Sequence, residues 1–309
     1  MKQLGSRCLA LLFCLLLPCC AAAESKGLFY RVSGGECRLF LLGSIHIGSA
    51  DMYPLSPIVQ KTLQEADALI FECDTESDAA LALTRQRMAY AYGDSLRRHI
   101  SEDLYELLTQ VSAQTGYPMT TFNSLKPWAI VSLLSMETTA AEIGGSDLTE
   151  AASYGVEKQI RALAADKPSL WLEETADQLD ALDGLSDELQ AYMLETACRT
   201  LLEPESAAGL EASTASWPAW WRDGDAQAFV NAYQQGLEQE TRKDLAQEYH
   251  QRLISQRNTA MASRLHELMN SHSGQCLFAV IGLMHLVLPG DSVLSQLEAM
   301  GYTVTRLER

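Results

Sequence analysis

Apolar and polar positions divide the chain into three regimes. Between residues 28 and 73 the apolar residues come in short runs. The runs 28-LFYRV-32 and 38-RLFLL-42 flank the glycine-rich 33-SGGE-36, which predicts a hairpin. Next, 54-PLSPIVQKTLQEAD-67 opens on Ser56-Pro57 and repeats apolar residues near every 3.6 positions, the signature of a helix. The apolar 68-ALIFEC-73 then predicts a strand. Strand, helix and strand in so short a span imply a right-handed parallel crossover. From Leu81 to about Ser271 the spacing is helical, broken at 116-GYP-118, 144-GGSD-147, 166-DKP-168 and 217-WPAWWRDGD-225, with one short strand, 169-SLWLE-173. The end returns to the first regime: the buried strand 276-CLFAVIG-282, the helix 291-DSVLSQLEAM-300 stopped by Gly301, and the alternating 302-YTVTRLE-308. The pattern predicts an α/β fold, with a mixed, largely parallel sheet built from both chain ends and a large helical insertion between them.

Two histidines and a glutamate fall at the carboxyl ends of predicted strands. His46 follows 38-RLFLLG-43, Glu72 closes 68-ALIFEC-73, and His285 follows 276-CLFAVIG-282, so the strand-Gly-x-x-His layout occurs twice. In open parallel sheets ligands bind outside the carboxyl ends of the strands. A glycine there lets the backbone turn sharply and approach a ligand without a Cβ in the way. One histidine after one strand is ordinarily structural. Two in the same layout, with a carboxylate that is costly to bury unpaired, shift the reading toward a shared site. Two imidazoles and a carboxylate suit a divalent metal with open positions. His99, His250, His266 and His272 fall in predicted helices or loops and read as surface residues, and Cys73 reads as a core thiol. Arg257, on a helix face with Met261, Leu265 and Met269, would need a carboxylate partner if buried, or could stabilise an oxyanion. The aromatic run 217-WPAWW-221 reads as core packing before it reads as a substrate wall.

The first residues belong to neither pattern. Lys2 and Arg7 precede the apolar run 9-LALLFCLLLP-18, and 21-AAA-23 follows, the layout of a secretory signal peptide over residues 1–23. A lipoprotein anchor on Cys19 or Cys20 is the weaker reading, since Pro18 or Cys19 stands where a small residue is needed. The mature chain, residues 24–309, is expected to be one domain, periplasmic or secreted, with no stable membrane span. The whole chain carries a net charge of −17; losing Lys2 and Arg7 takes the mature part to −19. That balance argues against nucleic acid or anionic membrane as a partner and leaves a peptide or small-molecule substrate. Cys37, Cys73, Cys198 and Cys276 could oxidise after export in any of three pairings, and their spacing fits no zinc motif.

The chain resembles the TraB/GumN family, which includes the Tiki proteases. The resemblance begins at 29-FYRVSGGECRLFLLGSIHIGSADMYPLS-56 and continues through 67-DALIFECD-74, 126-KPW-128, 155-GVEKQI-160, 167-KPSLWLEETADQL-179, 256-QRNTAMASRL-265 and 278-FAVIGLMHLVLPGDSVLSQLEAMGYTVTRL-307. The ordered pair of Gly-x-x-His motifs is its specific part; the helical pieces alone are weak. Two departures stand out: Gly-Ser-Ile-His replaces the usual Gly-Thr-Ile-His, and 172-LEET-175 places Glu174 where threonine is usual, leaving open which of Glu173 and Glu174 faces the site.

The resemblance implies an erythromycin-esterase/Tiki-like fold and an exported metal-dependent hydrolase, a peptidase. His46, Glu72 and His285 would hold the metal, with manganese or cobalt favoured over zinc. Glu72 or Glu173 would move the proton, and Arg257, beside Asn258, would meet the oxyanion. Two rivals remain. One is a metal-independent hydrolase in the manner of the erythromycin esterases, distant fold relatives by resemblance. The other is a non-catalytic regulator that keeps the site as a peptide or pheromone pocket.

Overall fold

The computed structural model describes residues 26–143, 147–203 and 214–307. The predicted signal peptide and most of the 144–147 break lie outside the described residues. The fold is mixed α/β, as the pattern predicts. Six strands form one sheet: β1 (Phe29–Ser33), β2 (Arg38–Ser44), β3 (Ala68–Phe71), β4 (Ser169–Trp171), β5 (Cys276–Gly282) and β6 (Thr303–Arg306), in the order β4-β3-β5-β2-β1-β6. Pairings β4–β3, β3–β5 and β5–β2 are parallel; β1 is antiparallel to both its neighbours. The predicted hairpin is therefore present, and the sheet is built from both chain ends.

The crossover from β2 through the helix Pro57–Glu65 to β3 is also present, but the two strands are not neighbours. β5 lies between them. The physical reason is in its side chains: from Cys276 to Ile281 every residue is buried. A strand apolar on both faces belongs at the centre of a parallel sheet covered on both sides. Burying a side chain such as Leu277, Phe278, Val280 or Ile281 contributes about 1.5–3 kcal/mol. The outermost strands are short and less buried, β4 with three residues and β6 with four.

Helices cover the sheet, and a second apolar centre lies within the helical insertion. There Glu102–Thr115, Pro127–Glu142 and Asp187–Leu202 pack around Leu108, Phe122, Ile130, Leu194 and Cys198. Local signals start these helices where they start. Ser101 and Ser186 accept from the backbone N–H three residues on, and Pro127 occupies the first helical turn. Trp221 is fully buried and its Nε1 donates to the Gly43 carbonyl at 2.7 Å, so this tryptophan packs and pins the end of β2. Cys37, Cys73, Cys198 and Cys276 are buried, and among the described residues no disulfide joins them. Among the described residues no helix is long and apolar enough to cross a membrane.

Candidate functional site

Four adjacent parallel strands, β4, β3, β5 and β2, end on the same edge of the sheet, and each is followed by a candidate side chain. His46 follows β2, Glu72 follows β3, Glu173 follows β4 and His285 follows β5. The glycines of the two motifs have different tasks. A Cβ on Gly282 would lie 2.9 Å from Glu72 Oε1, so this position is bare because the carboxylate comes down onto the backbone. Gly282 N–H then donates to that same oxygen at 2.6 Å. A Cβ on Gly43 would lie 2.4 Å from Cδ1 of Leu283, a residue of the second motif. The two motifs thus interlock as well as repeat.

Arg257 sits at the centre of the cluster. Its Nη2 donates to Glu72 Oε2 at 2.6 Å and to Glu173 Oε2 at 2.9 Å, and its Nε reaches both Glu173 oxygens at 3.1 and 3.2 Å. Its Nη1 lies 3.3 Å from His285 Nε2. The remaining ring nitrogen, Nδ1, lies 2.6 Å from Asn258 Oδ1, while Asn258 Nδ2 donates to the Asp291 carbonyl at 3.0 Å. That amide orientation leaves Oδ1 as acceptor, so His285 carries its proton on Nδ1 and turns the lone pair of Nε2 to Arg257. Asn258 is fully buried, and Glu72, Glu173 and His285 are each less than a tenth exposed. The open choice at 172-LEET-175 falls on Glu173; Glu174 is exposed at the start of the helix Thr175–Asp183.

The charges follow from these contacts. Burial pushes the Glu72 carboxyl up, but Arg257, His285, the Gly282 N–H and His46 together hold it down at about 2. For Glu173 burial prevails over Arg257, and its pKa is raised. Burial, aided by Arg257 and His46, lowers His285 to about 4 against the pull of Glu72, so its imidazole is neutral at ordinary pH. His46 stands apart from this network. It is exposed and makes no hydrogen bond among the described residues, although it lies within electrostatic reach of Glu72 and His285.

Neutral imidazoles and carboxylates are suitable donors for manganese, cobalt or zinc. Their arrangement here does not suit the expected metal set. The Arg257 guanidinium lies between Glu72 and His285 and engages the atoms both would offer. Among the described residues no group of three or more His, Cys, Asp and Glu side chains is placed to hold a metal. A cavity of about 630 Å³ lined by residues such as Tyr53, Leu63, Gln159 and Leu163 includes none of the cluster.

Sequence reasoning missed two features. A π-helical turn, His250–Ser255, immediately precedes the helix Gln256–Ser271 that carries Arg257 and Asn258. Such turns re-aim the residues that follow them and are frequent at functional sites. Glu157, inside 155-GVEKQI-160, is half-buried and lies in the field of His46 and Glu72. Its position in the first turn of a helix, just after Gly155, was the available signal.

With this geometry in place, comparison with known proteins decides the relationship. The TraB/PrgY/gumN family model matches residues 28–306. The chain belongs to the TraB/PrgY/gumN family. It is 29% identical over 260 residues to YbaP of Escherichia coli (strain K12), which is described as an uncharacterized protein; the match covers 83% of this chain and 87% of YbaP. YbaP of Shigella flexneri matches to the same extent. No solved structure matches the chain. The family match spans all the strands, both Gly-x-x-His motifs and the Arg257–Asn258 pair.

Proposed function

We propose that this TraB/PrgY/gumN protein is a hydrolase that cleaves a carbonyl derivative, a peptide bond or a small ester or amide, in the crevice at the carboxyl ends of β2 to β5. The observation that carries this reading is the burial of Arg257 between Glu72, Glu173 and a neutral His285 at that edge. Burying such groups costs several kcal/mol per ion, and well-packed apolar residues would serve folding alone as well or better. A chemical task accounts for the arrangement.

The roles divide by what each side chain has left to offer. Arg257 has five N–H donors; the Nε donor, both on Nη2 and one on Nη1 are engaged, which leaves one on Nη1 for a developing oxyanion. His285 and Asn258 hold that guanidinium in place. His46, with no hydrogen-bond partner among the described residues, takes the proton from the attacking water. For Glu173 burial outweighs Arg257, so of the two glutamates it is the one that gains a proton first as pH falls.

One observation favours the metal-dependent variant. With Glu72 and Glu173 both ionised, the cluster has one negative charge more than Arg257 neutralises, and a cation would balance it. Turnover of a peptide and ester library by the purified protein, before and after exhaustive chelation, separates the two. Unchanged turnover supports water activation by the protein's own groups. Loss that manganese or cobalt restores would overturn that and favour the metal reading. Absence of any hydrolysis would contradict the hydrolase itself and favour the peptide-binding regulator.

A further inference from the structure

Both glutamates that the family resemblance offers as proton carriers are committed elsewhere. Glu72 is held by Arg257 Nη2 and the Gly282 N–H, and Glu173 receives Nε and Nη2 of the same guanidinium. Glu72, held at about 2, takes a proton poorly near neutral pH, and Glu173, although burial raises its pKa, has both oxygens occupied by Arg257. The proposed reaction still needs an acid. When a C–N or C–O bond breaks, the departing nitrogen or oxygen must be protonated.

Glu157 is the carboxylate near the crevice with no such commitment. It makes no ion pair among the described residues. Its helix, Val156–Leu163, is brought against the first motif by two backbone contacts. Val156 N–H donates to the Ile45 carbonyl at 3.0 Å, and a Cβ on Gly155 would lie 2.3 Å from the His46 carbonyl oxygen. Only glycine allows that approach, and it places Glu157 two residues further on, within electrostatic reach of His46. Among the described residues the Ser44 hydroxyl, at the end of β2, is buried without a well-aligned hydrogen bond, and it lies close enough to favour the ionised carboxylate. Arg161, one turn along the helix, is stacked over the Phe71 ring at 3.7 Å with its Nε 3.7 Å from Glu76, and among the described residues its Nη2 is buried without a hydrogen-bond partner. Glu157 therefore lies within electrostatic reach of His46, Glu72 and Arg161, with the Ser44 hydroxyl favouring its ionised form.

We infer that Glu157 is a catalytic residue, the general acid that protonates the leaving group, opposite His46 as the base. Burial, opposed by His46 and aided by Glu72, raises its pKa, the direction a general acid needs. In the forward step a water O–H bond breaks, its proton passes to His46, and the hydroxide oxygen bonds to the carbonyl carbon. The C–N or C–O bond then breaks, and its electron pair takes the proton from Glu157. A proton returns from the His46 imidazolium to the Glu157 carboxylate through solvent, so that one water is consumed and both groups are reset.

The inference rests on the hydrolase reading, and leaving-group dependence tests it separately. Glu157→Gln and wild type are compared on two substrates with the same acyl group, an activated aryl ester that needs no acid and an unactivated amide or alkyl ester that does. The expected result is a loss of about 10²–10⁴-fold on the poor leaving group with less than about tenfold on the aryl ester. Glu157→Asp is expected to recover part of the loss, and circular dichroism of both variants should match wild type. Equal losses on both substrates, or none, would overturn the role of Glu157 and leave the hydrolase reading standing. Failure of the wild type to cleave either ester or amide would remove both.

Discussion

Truncating Arg257 would leave Glu72 and Glu173 buried around an empty centre. Removing one partner from a buried ionic group costs about 3–5 kcal/mol, so Arg257→Ala is expected to lower the unfolding free energy by that amount, read as a lower urea midpoint at unchanged slope. Arg257→Lys should rescue little, because an ammonium cannot bond Glu72, Glu173 and His285 from one plane. The acid limb of stability follows from the same residues. Glu72 is held at about 2, below its ordinary 4.5, so its stabilisation is complete above about 4.5 and is lost as pH falls toward 2. His285 is held at about 4, below its ordinary 6.5; the unfolded chain binds the proton first, and stability falls between about 6.5 and 4. Urea midpoints should therefore fall for wild type as pH is lowered from 7 to 4 and change less for His285→Gln; parallel slopes would contradict the assignment. Glu157 acts in the opposite sense. Its raised pKa means that burying it charged is unfavourable, so Glu157→Gln should melt no lower than wild type while losing activity on poor leaving groups.

At the scale of elements, the strands and the β1–β2 hairpin were legible and the order of the parallel strands was not. The apolar runs, the hairpin glycines and the Gly-x-x-His repeats are local signals, and β1, β2, β3 and β5 form where they point. The insertion of β5 between β2 and β3 is decided by burial on both faces, which the continuous apolar run hints at without naming its neighbours. Arg257 is the clearest case at the site. The spacing of Met261, Leu265 and Met269 marks an inward face, and all three are buried, but that the guanidinium would bind two glutamates 84 and 185 residues away is a tertiary fact. The π-turn at His250–Ser255 has no periodic signature at all. Gly282 supplies an element-scale test. Adding a Cβ there presses on the Glu72 carboxylate, so Gly282→Ala is expected to cost about 1–3 kcal/mol and to raise the Glu72 pKa by breaking its N–H contact. A variant as stable as wild type, with Glu72 titrating as before, would show that the close approach is not needed.

For the whole molecule, the sequence specifies a sheet assembled from both ends of the chain, and closing it brings residues more than two hundred positions apart to one edge. His46 and His285 meet there only when β2 and β5 pair in register, with Ser44 opposite Gly282. The site is thus a product of the completed fold. The helical insertion contributes to it as well, since Glu157 and Glu173 both lie between β3 and β5. Cys37, Cys73, Cys198 and Cys276 lie within packed interior, so a thiol-specific reagent should label the native protein slowly and the urea-unfolded protein at once.

The central claim is that the edge shared by His46, Glu72, Glu173, Arg257, Asn258 and His285 hydrolyses a carbonyl substrate. The most direct measurement is turnover of one ester and peptide library by wild type and His46→Ala, purified side by side. His46 is exposed and outside the hydrogen-bonded cluster, so its loss should leave the melting temperature unchanged. The expected result is cleavage of at least one library member by wild type and a loss of about a hundredfold or more in His46→Ala. Equal turnover by the two proteins, or none by either, would contradict the account.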